Sequence, residues 1–398
     1  MNKKIGFEKH VHFQPFIDDE EIEAVVQVLK ERRLTLLSSE KVEEFETEFA
    51  KYIGVKHAIA VNSGTAALHV ALASLELGPG DEVIVPPFTF VATATAVLHQ
   101  NAIPIFVDIL PDTYCIDPLK IEAAITSKTK AIIPVHIFGH PADMDQIIKI
   151  GKEHEIPVIE DACQAHGAEY KGKKVGSIGD IGCFSFFESK NMMTGEGGII
   201  TTNDDEIAEK CKLIRHHGEP YWYQYIRLGY NYRMTAIQAA IGLIQLKKLE
   251  KMNNKRIEYA QYYNKNLKGL SGLQLPITKN YVKHVYHLYA PLIKPEELGI
   301  DKDKFLELVN KDETITKLIY PQPLYKSPLF QNLVGYGPKS CPFSCPYYGK
   351  QISYDIHLPV VENICNRAIG LPNLPSTDLN QIDKVIETLR KVIGELQK

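Results

Sequence analysis

Short apolar segments alternate with helical patterns across the first half of this chain, and this alternation restricts the fold more strongly than any other feature of the sequence. Apolar runs typical of buried strands lie at residues 57–61, 83–85, 103–107, 131–135 and 157–159. Strands separated by helices in this way pair in parallel, and the helices cover both faces of the sheet. The sequence therefore predicts an α/β fold with a mainly parallel sheet between helices.

Residues with binding chemistry follow the predicted strands at the ends where parallel sheets bind ligands. Ser63, Phe90 and Asp161 each come after an apolar run. Lys190 comes after a further apolar run that begins at Gly182. Because the carboxyl ends of parallel strands meet at one edge of the sheet, we expect these residues to lie close together.

Lys190 stands between a predicted strand and a glycine-rich turn, TGEGG at residues 194–198. A lysine on a loop beside a buried strand can be held away from bulk water, which lowers the pKa of its ammonium group. The free amine can then attack a carbonyl to form a Schiff base. The alternative is an ordinary exposed lysine, and the setting between strand and glycines favours the functional interpretation.

The segment NSGTAAL at residues 62–68 joins the first predicted strand to a predicted helix. A strand, a glycine turn and a helix start place free backbone N–H groups and the positive end of a helix dipole at one point, which is most often a phosphate site. Ser63 or Thr65 could instead serve only as the cap of the helix. The phosphate interpretation gains weight from its combination with Lys190.

Asp161 lies at the end of a predicted buried strand, where a carboxylate is costly unless it meets a positive partner. The alternative is an aspartate that caps the next turn. A protonated pyridine nitrogen would be a suitable positive partner. Together with a lysine that can form a Schiff base and a turn that can bind phosphate, this carboxylate completes the groups that pyridoxal 5′-phosphate requires. The sequence therefore predicts a site for this cofactor at Asp161, Lys190 and residues 62–68.

Four segments occur together in one order: NSGTAAL at 62–68, EDACQAHG at 160–167, FSF through the lysine to the glycines at 184–198, and GYNYRM at 229–234. With these segments the chain resembles the DegT/DnrJ/EryC1/StrS family, from about Phe16 to the C-terminal helix. Members of that family are pyridoxal-phosphate-dependent aminotransferases of the aspartate aminotransferase fold, which aminate keto sugars usually attached to a nucleotide. The resemblance implies a large cofactor-binding domain and a smaller C-terminal α/β domain.

The resemblance also implies roles for individual residues on the cofactor side. Lys190 would carry the internal aldimine and move the proton between Cα and C4′, and Asp161 would pair with the pyridinium nitrogen. Gln164 would lie against the ring or bond its 3-hydroxyl. The phosphate would be bound by residues next to the helix start and after the strand that precedes the lysine, namely Gly64, Thr65, Ala66 and Ser185.

Further implied contacts surround the ring and reach across a subunit interface. Phe90 matches the family position whose aromatic side chain stacks on the ring, and the alternative is a core phenylalanine. Asn231 is expected to reach the phosphate of the neighbouring subunit, which implies a homodimer with a shared active site. The candidate contacts to substrate are Arg227, Tyr320 and Tyr325.

Departures from the family pattern concern the substrate side of the site. Many members have His three residues before the lysine, where this chain has Phe187. Many also have His-Tyr-Pro and a further His, where this chain has Ile319-Tyr320-Pro321 and Tyr325. The cofactor machinery is therefore expected to be intact, whereas the pocket for the acceptor sugar is altered.

The character of the sequence changes after about residue 272. We predict an N-terminal segment and large cofactor-binding domain at residues 1–250 and a small domain at residues 251–398. Within the small domain, the pattern at residues 285–289 predicts a strand, and the pattern at residues 379–396 predicts a helix.

The composition argues against several other classes of protein. The 45 basic and 49 acidic residues give a net charge of -4, which provides no electrostatic basis for binding nucleic acid or an anionic membrane. No apolar run is long enough to span a bilayer, and residues 1–10 do not resemble a secretory signal. The seven cysteines are scattered and odd in number, which fits reduced thiols better than a disulfide framework. We therefore expect a cytoplasmic protein.

Cys341 and Cys345 form the one closely spaced cysteine pair. One interpretation is half of a zinc site, with His357 as the nearest further ligand. A tetrahedral zinc site needs more ligands, and no second pair follows. A proline-rich loop with two free thiols is the better interpretation, so no metal is predicted.

The leading functional hypothesis is an aminotransferase that moves an amino group from glutamate or glutamine to a keto sugar in amino-sugar biosynthesis. Alternatives that keep the cofactor are a sugar dehydratase, an aminocyclitol aminotransferase and a catalytically silent regulator. The dehydratase branch of the family replaces the lysine by His, so Lys190 argues against it. A nicotinamide-dependent dehydrogenase is less consistent, because no Gly-x-Gly-x-x-Gly follows an early strand.

Overall fold

The computed structural model describes residues 15–311 and 317–397 of the chain. Its α-helices are α1 (Asp19–Glu31), α2 (Lys41–Ile53), α3 (Gly64–Ser74), α4 (Ala92–His99), α5 (Pro118–Ala124), α6 (Met144–Glu153), α7 (Asp205–Arg215), α8 (Ala236–Leu267), α9 (Pro295–Leu298), α10 (Lys302–Val309), α11 (Pro328–Gln331), α12 (Pro359–Cys365) and α13 (Leu379–Leu396). Its strands are β1 (His57–Val61), β2 (Glu82–Val85), β3 (Ile103–Phe106), β4 (Thr129–Ile132), β5 (Ile159–Asp161), β6 (Glu169–Tyr170), β7 (Lys173–Lys174), β8 (Ile181–Ser185), β9 (Gly198–Thr202), β10 (Leu273–Gln274), β11 (Val282–Lys283), β12 (Leu292–Ile293), β13 (Lys317–Leu318) and β14 (Ile369–Gly370). None of these described helices combines the length and the apolar character needed to cross a membrane.

A mixed sheet forms the centre of the fold. One part has the strand order β3-β2-β4 and the other the order β1-β9-β8-β5. Parallel bridges from Ile132 to Val158 and from Val135 to Asp161 join β4 to β5, so the two parts lie side by side. Within this sheet, β9 runs antiparallel to both of its neighbours, β1 and β8. The predicted α/β fold with a mainly parallel sheet is confirmed, with one reversed strand.

Helices cover both faces of the sheet, because alternate residues of a strand point to opposite sides. In β1, Ile59 and Val61 belong to a core cluster that includes residues of α3 and α7. Ala58 and Ala60 belong to a second cluster, with residues of α2 and α8. Helix α3 also packs against β8 and β9, so its first turn is held firmly at the edge of the sheet.

Helix α8 continues without interruption from the sheet into the C-terminal part of the chain. Its second half contributes Tyr263 and Leu267 to a separate core cluster with α10 and α13. Other C-terminal residues pack on the sheet itself; Phe330, for example, meets Phe106 of β3 with ring centroids 5.1 Å apart. The C-terminal part therefore has a core of its own and a segment that lies on the large core, and the domain boundary after residue 250 stays a prediction.

The strand predicted at residues 285–289 is wrong, whereas the helix predicted at residues 379–396 is confirmed as α13. Tyr286 has a φ angle of 46°, in the left-handed region that an extended strand excludes. The segment forms only an isolated bridge between Tyr289 and Leu371. The side chains of Val285, Tyr286 and Tyr289 are buried between elements rather than on the face of a sheet.

Candidate active site

Lys190 lies on the loop that joins the buried strand β8 to β9, as the sequence predicts. The loop turns tightly there, since the N–H of Lys190 donates to the carbonyl of Phe187 at 2.9 Å. The lysine side chain is half-buried. Burial lowers the pKa of its ammonium group below the ordinary value, and the neighbouring Cys163 and Asp161 act in the opposite direction. An amine that gives up its proton readily can act as a nucleophile and as a proton carrier.

Asp161 ends β5 at the same edge of the sheet, and its side chain is only 4% exposed. The Thr93 hydroxyl donates to one carboxylate oxygen at 2.8 Å, and the Cys163 N–H donates to the other at 3.2 Å. Both donors are neutral, so neither balances the charge of the carboxylate. A buried carboxylate in this setting is strongly attracted to a cationic group that enters the site.

The start of α3 lies directly beside the end of β8. A Cβ added to Gly64 would lie 2.6 Å from the Cβ of Ser185 and 3.0 Å from its Oγ, so a side chain at Gly64 does not fit there. The Ser63 hydroxyl accepts the N–H of Ala66 at 3.1 Å and so caps the helix. The Ala66 N–H, which was predicted to bind the phosphate, is therefore already engaged. The N–H groups of Gly64 and Thr65 precede the helical hydrogen bonds, so with the neighbouring Ser185 hydroxyl they are donors that could hold an anion.

Gln164 follows Asp161 by one turn of chain, and its buried amide is held from two sides. The N–H of Phe138 donates to its Oε1 at 2.9 Å. Its Nε2 donates to the hydroxyl of Tyr320 at 2.9 Å. Gln164 and Tyr320 were both predicted site residues, and the structure brings them together. Phe138 was not predicted, and no local signal in the sequence marks it.

Phe90 precedes α4, and its ring is 59% exposed. The N–H of Thr93 donates to the carbonyl of Phe90 at 3.2 Å, so the two residues lie on one turn. Since the Thr93 hydroxyl bonds Asp161, Phe90 lies one turn of chain from a residue that contacts the carboxylate. Thr93 was missed from the sequence, although its position three residues after Phe90, in the first turn of a predicted helix, was a usable signal.

The remaining predicted contacts have other surroundings in the single chain. Asn231 is exposed, next to Tyr232, whose carbonyl accepts the N–H of Asn62 at 2.9 Å. Other predicted contacts are engaged elsewhere: Arg227 Nη2 lies 3.9 Å from Glu76 Oε1, and the buried Tyr325 donates its hydroxyl to Glu362 at 2.5 Å. The roles predicted for Asn231, Arg227 and Tyr325 therefore stay predictions.

Cys341 and Cys345 are free, half-buried thiols. The Sγ of Cys341 lies 3.6 Å from the Oδ1 of Asn101. In residues 15–311 and 317–397, no group of three or more His, Cys, Asp or Glu side chains is arranged to hold a metal ion.

Comparison with known proteins decides the family. The sequence model of the DegT/DnrJ/EryC1/StrS aminotransferase family matches residues 15–357. The chain belongs to this family. It is 47% identical over 272 residues to GDP-perosamine synthase of Caulobacter vibrioides, and the match covers 66% of this chain and 72% of the relative. It is 37% identical over 383 residues to UDP-N-acetyl-3-dehydro-alpha-D-glucosamine 3-aminotransferase of Acidithiobacillus ferrooxidans, and the match covers 96% of this chain and 96% of the relative.

The solved structures agree with this membership. NtdA from Bacillus subtilis, with its cofactor PMP bound, has a TM-score of 0.82 and 34% identity and covers 95% of this chain and 83% of that chain. The chain is therefore an aminotransferase, and its family and the PMP-bound structure imply a pyridoxal-phosphate cofactor. The residues present fit such a group, because the edge of the sheet combines an anion site that excludes a Cβ, a buried carboxylate with neutral donors and a lysine of lowered pKa.

We expect the Gly64→Ala variant to bind pyridoxal 5′-phosphate at least about tenfold more weakly, a change of about 1.4 kcal/mol. The added Cβ would overlap Ser185, so the first turn of α3 must move and its N–H groups no longer face the phosphate together. The measurement is a titration of apo-protein with the cofactor, followed by fluorescence. Gly78→Ala is the matched control, because a Cβ at Gly78 meets nothing within 4 Å. Equal affinities for wild type and Gly64→Ala would refute the phosphate site.

Proposed function

We propose that this aminotransferase uses pyridoxal 5′-phosphate to move an amino group from glutamate or glutamine to a keto sugar attached to a nucleotide. The observation that carries the proposal is the meeting of Lys190, Asp161 and the start of α3 at one edge of the sheet. These groups are an amine of lowered pKa, a buried carboxylate and an anion site. They suit the aldehyde, the ring nitrogen and the phosphate of the cofactor, respectively.

A small number of side chains would carry out the protein's part in this reaction. When bound, the cofactor supplies an electron sink for the carbon that loses its proton. Asp161 keeps a proton on the ring nitrogen, while the Thr93 hydroxyl and the Cys163 N–H hold the carboxylate in place. The lowered pKa of Lys190 lets its amine take the Cα proton of the donor and later give a proton back. The start of α3 and Ser185 hold the phosphate.

The nature of the acceptor is supported by the relatives and by the substrate side of the site. One relative is named for a GDP-linked product and the other for a UDP-linked sugar, which supports a nucleotide-linked sugar without favouring one base. Of the three residues that stand where many family members have His, Ile319 and Tyr325 are buried, whereas Phe187 is 38% exposed and close to Lys190 in the chain. We therefore infer that Phe187, rather than Ile319, faces the sugar.

A homodimer with a shared site is the proposed assembly. Phe90 and Asn231 are both exposed in the single chain. The segment that leads to Asn231 exposes an unusual run of large apolar side chains, namely Tyr221, Trp222, Tyr223, Tyr225, Ile226 and Leu228. Large exposed apolar surfaces mark interaction sites, and we propose that a second copy packs on this segment and so brings Arg227 and Asn231 to the neighbouring site.

The state of the cysteines supports a reducing compartment. All seven cysteines are free thiols. Burial raises the pKa of the Cys211 thiol to about 12, so this sulfur stays protonated and unreactive. We therefore propose that the enzyme works in the cytoplasm.

The experiment that tests the function is the first half-reaction. Protein reconstituted with pyridoxal 5′-phosphate is mixed with glutamate, or separately with glutamine, in the absence of any acceptor. We expect the visible band of the bound cofactor to disappear and the matching oxo acid to form. Nucleotide-linked keto sugars are then added, and the aminated sugar is sought by mass spectrometry.

Two results of this experiment would count against the proposal. Absence of any spectral change with both donors would contradict an aminotransferase that uses them. Release of water from a sugar without transfer of nitrogen would point to the dehydratase instead.

A further inference from the structure

Two aromatic residues beside the site have a backbone conformation that bulky side chains rarely adopt. Phe138 has a φ angle of 55° and Tyr320 a φ angle of 32°. Non-glycine residues in this left-handed region are strained, and such strain persists only where the surroundings enforce it. The two rings stack on each other, with centroids 5.9 Å apart and planes inclined by 10°. Both residues also hydrogen-bond one side chain, the amide of Gln164.

These two contacts decide which way the Gln164 amide faces. A backbone N–H can only donate, so the N–H of Phe138 at 2.9 Å must meet the amide oxygen. The amide nitrogen therefore faces the hydroxyl of Tyr320, also at 2.9 Å. One of its hydrogens is used in this bond, and the second remains for an acceptor in the site.

The Tyr320 hydroxyl is itself held firmly. Its ring lies between Phe138 and Phe88, and the Phe88 ring meets it edge-on, with centroids 5.2 Å apart. Burial raises the pKa of the Tyr320 hydroxyl, so this group stays protonated through the neutral range. It therefore accepts the Gln164 hydrogen bond as a neutral group of fixed position.

We propose that Tyr320 is a positioning residue for the cofactor and acts through Gln164, instead of serving only as a contact to the sugar. Together with the N–H of Phe138, it fixes the amide so that the second N–H donates to an oxygen at the edge of the cofactor ring. This proposal rests on the proposed function, because it requires a pyridoxal cofactor beside Asp161. It assigns the strained backbone at Phe138 and Tyr320 to the task of orienting one amide.

The test is the Tyr320→Phe variant, which keeps the stacked ring and removes only the hydroxyl. We expect its dissociation constant for pyridoxal 5′-phosphate to rise about threefold to tenfold. We also expect the pH at which the visible band of the bound cofactor changes to move upward, by about half to one pH unit. The reason is that a ring oxygen with a weaker donor holds its shared proton more strongly. KM for the sugar is expected to stay within twofold of the wild-type value.

A double-mutant cycle separates action through Gln164 from other effects. In a Gln164→Ala background, Tyr320→Phe is expected to cause no further change in cofactor affinity or in the pH midpoint. The matched control is Tyr354→Phe, which removes another buried hydroxyl, one that donates to the carbonyl of Pro104 at 3.0 Å. We expect this control to leave both readouts unchanged.

Three outcomes would overturn the inference, and none is confused with failure of the proposed function. An unchanged pH midpoint and cofactor affinity in Tyr320→Phe would remove the positioning role. Equal effects with and without Gln164 would show that Tyr320 acts by another route. An effect confined to KM for the sugar would make it a substrate contact alone. If the wild-type protein bound no pyridoxal 5′-phosphate, the proposed function itself would fail.

Discussion

We expect the Lys190→Ala variant to fold as the wild type does and to lose more than about 10⁴-fold in turnover rate. The lysine is the only group in the proposed scheme that both joins the cofactor covalently and moves the proton of the donor. Alanine cannot do either, and water reaches the half-buried position without supplying a fixed base. The lysine is half-buried at the edge of the sheet, so we expect its removal to cost little packing.

The measurement for this variant combines rates with chemical labelling. Borohydride treatment of the loaded wild-type protein should fix the cofactor to Lys190, as located by peptide mass spectrometry. The same treatment should fix no cofactor to Lys190→Ala. Lys212→Ala is a matched control, since that lysine is partly exposed on α7 and pairs with Glu209 at 2.7 Å. Labelling of another lysine in the wild type, or turnover that survives in Lys190→Ala, would end the assignment.

We expect the Asp161→Asn variant to lose roughly 10²- to 10⁴-fold in turnover rate, the usual contribution of a positioned acid or base. The carboxylate is proposed to hold a proton on the ring nitrogen, and a neutral amide cannot stabilise that charge. The fold should survive, because an asparagine oxygen can accept the Cys163 N–H while its NH₂ donates to the Thr93 hydroxyl. The loss should therefore appear in the rate and not in the thermal midpoint of the apo-protein.

The check on Asp161→Asn is a stopped-flow measurement of the glutamate half-reaction at saturating cofactor. Thr93→Val serves as a graded companion, since it removes one neutral donor to the carboxylate and leaves the charge. We expect its loss to be smaller than that of Asp161→Asn. A half-reaction within tenfold of the wild-type rate in Asp161→Asn would exclude Asp161 from the ring-nitrogen role.

Much of the central sheet and its helices was predictable because the signals are local. Each strand from β1 to β5 lies in or overlaps a short apolar run, and several helix starts carry their own caps, such as Ser63. Lys190 and Asp161 could be found because each directly follows such a run. The reversed direction of β9 had a weaker signal, since residues 186–197 are about as short as a crossover connection can be and form turns instead of a helix.

The parts that could not be predicted depend on contacts between distant segments. The apolar and aromatic residues at 285–289 resemble those of a strand, but Tyr286 lies in the left-handed region and none of the described strands pairs with the segment. The hydrogen bonds from Phe138 to Gln164 and from Gln164 to Tyr320 join three parts of the chain. No periodicity within any one of them shows which way an amide will face.

The reversed strand β9 has a consequence for how the enzyme is made. Its first residue, Gly198, presses against the carbonyl of Ser63, from which an added Cβ would be 2.3 Å distant, while Ser185 on the other arm of the hairpin touches Gly64. During synthesis, the turn at residues 63 and 64 therefore leaves the ribosome long before β9, the last strand that packs against it. We therefore expect vitamin B6 to bind only after the β8–β9 hairpin has taken its place between β1 and β5. Binding of the coloured cofactor would then report that the sheet is complete. Nascent chains that end before β9 should bind no cofactor and stay colourless.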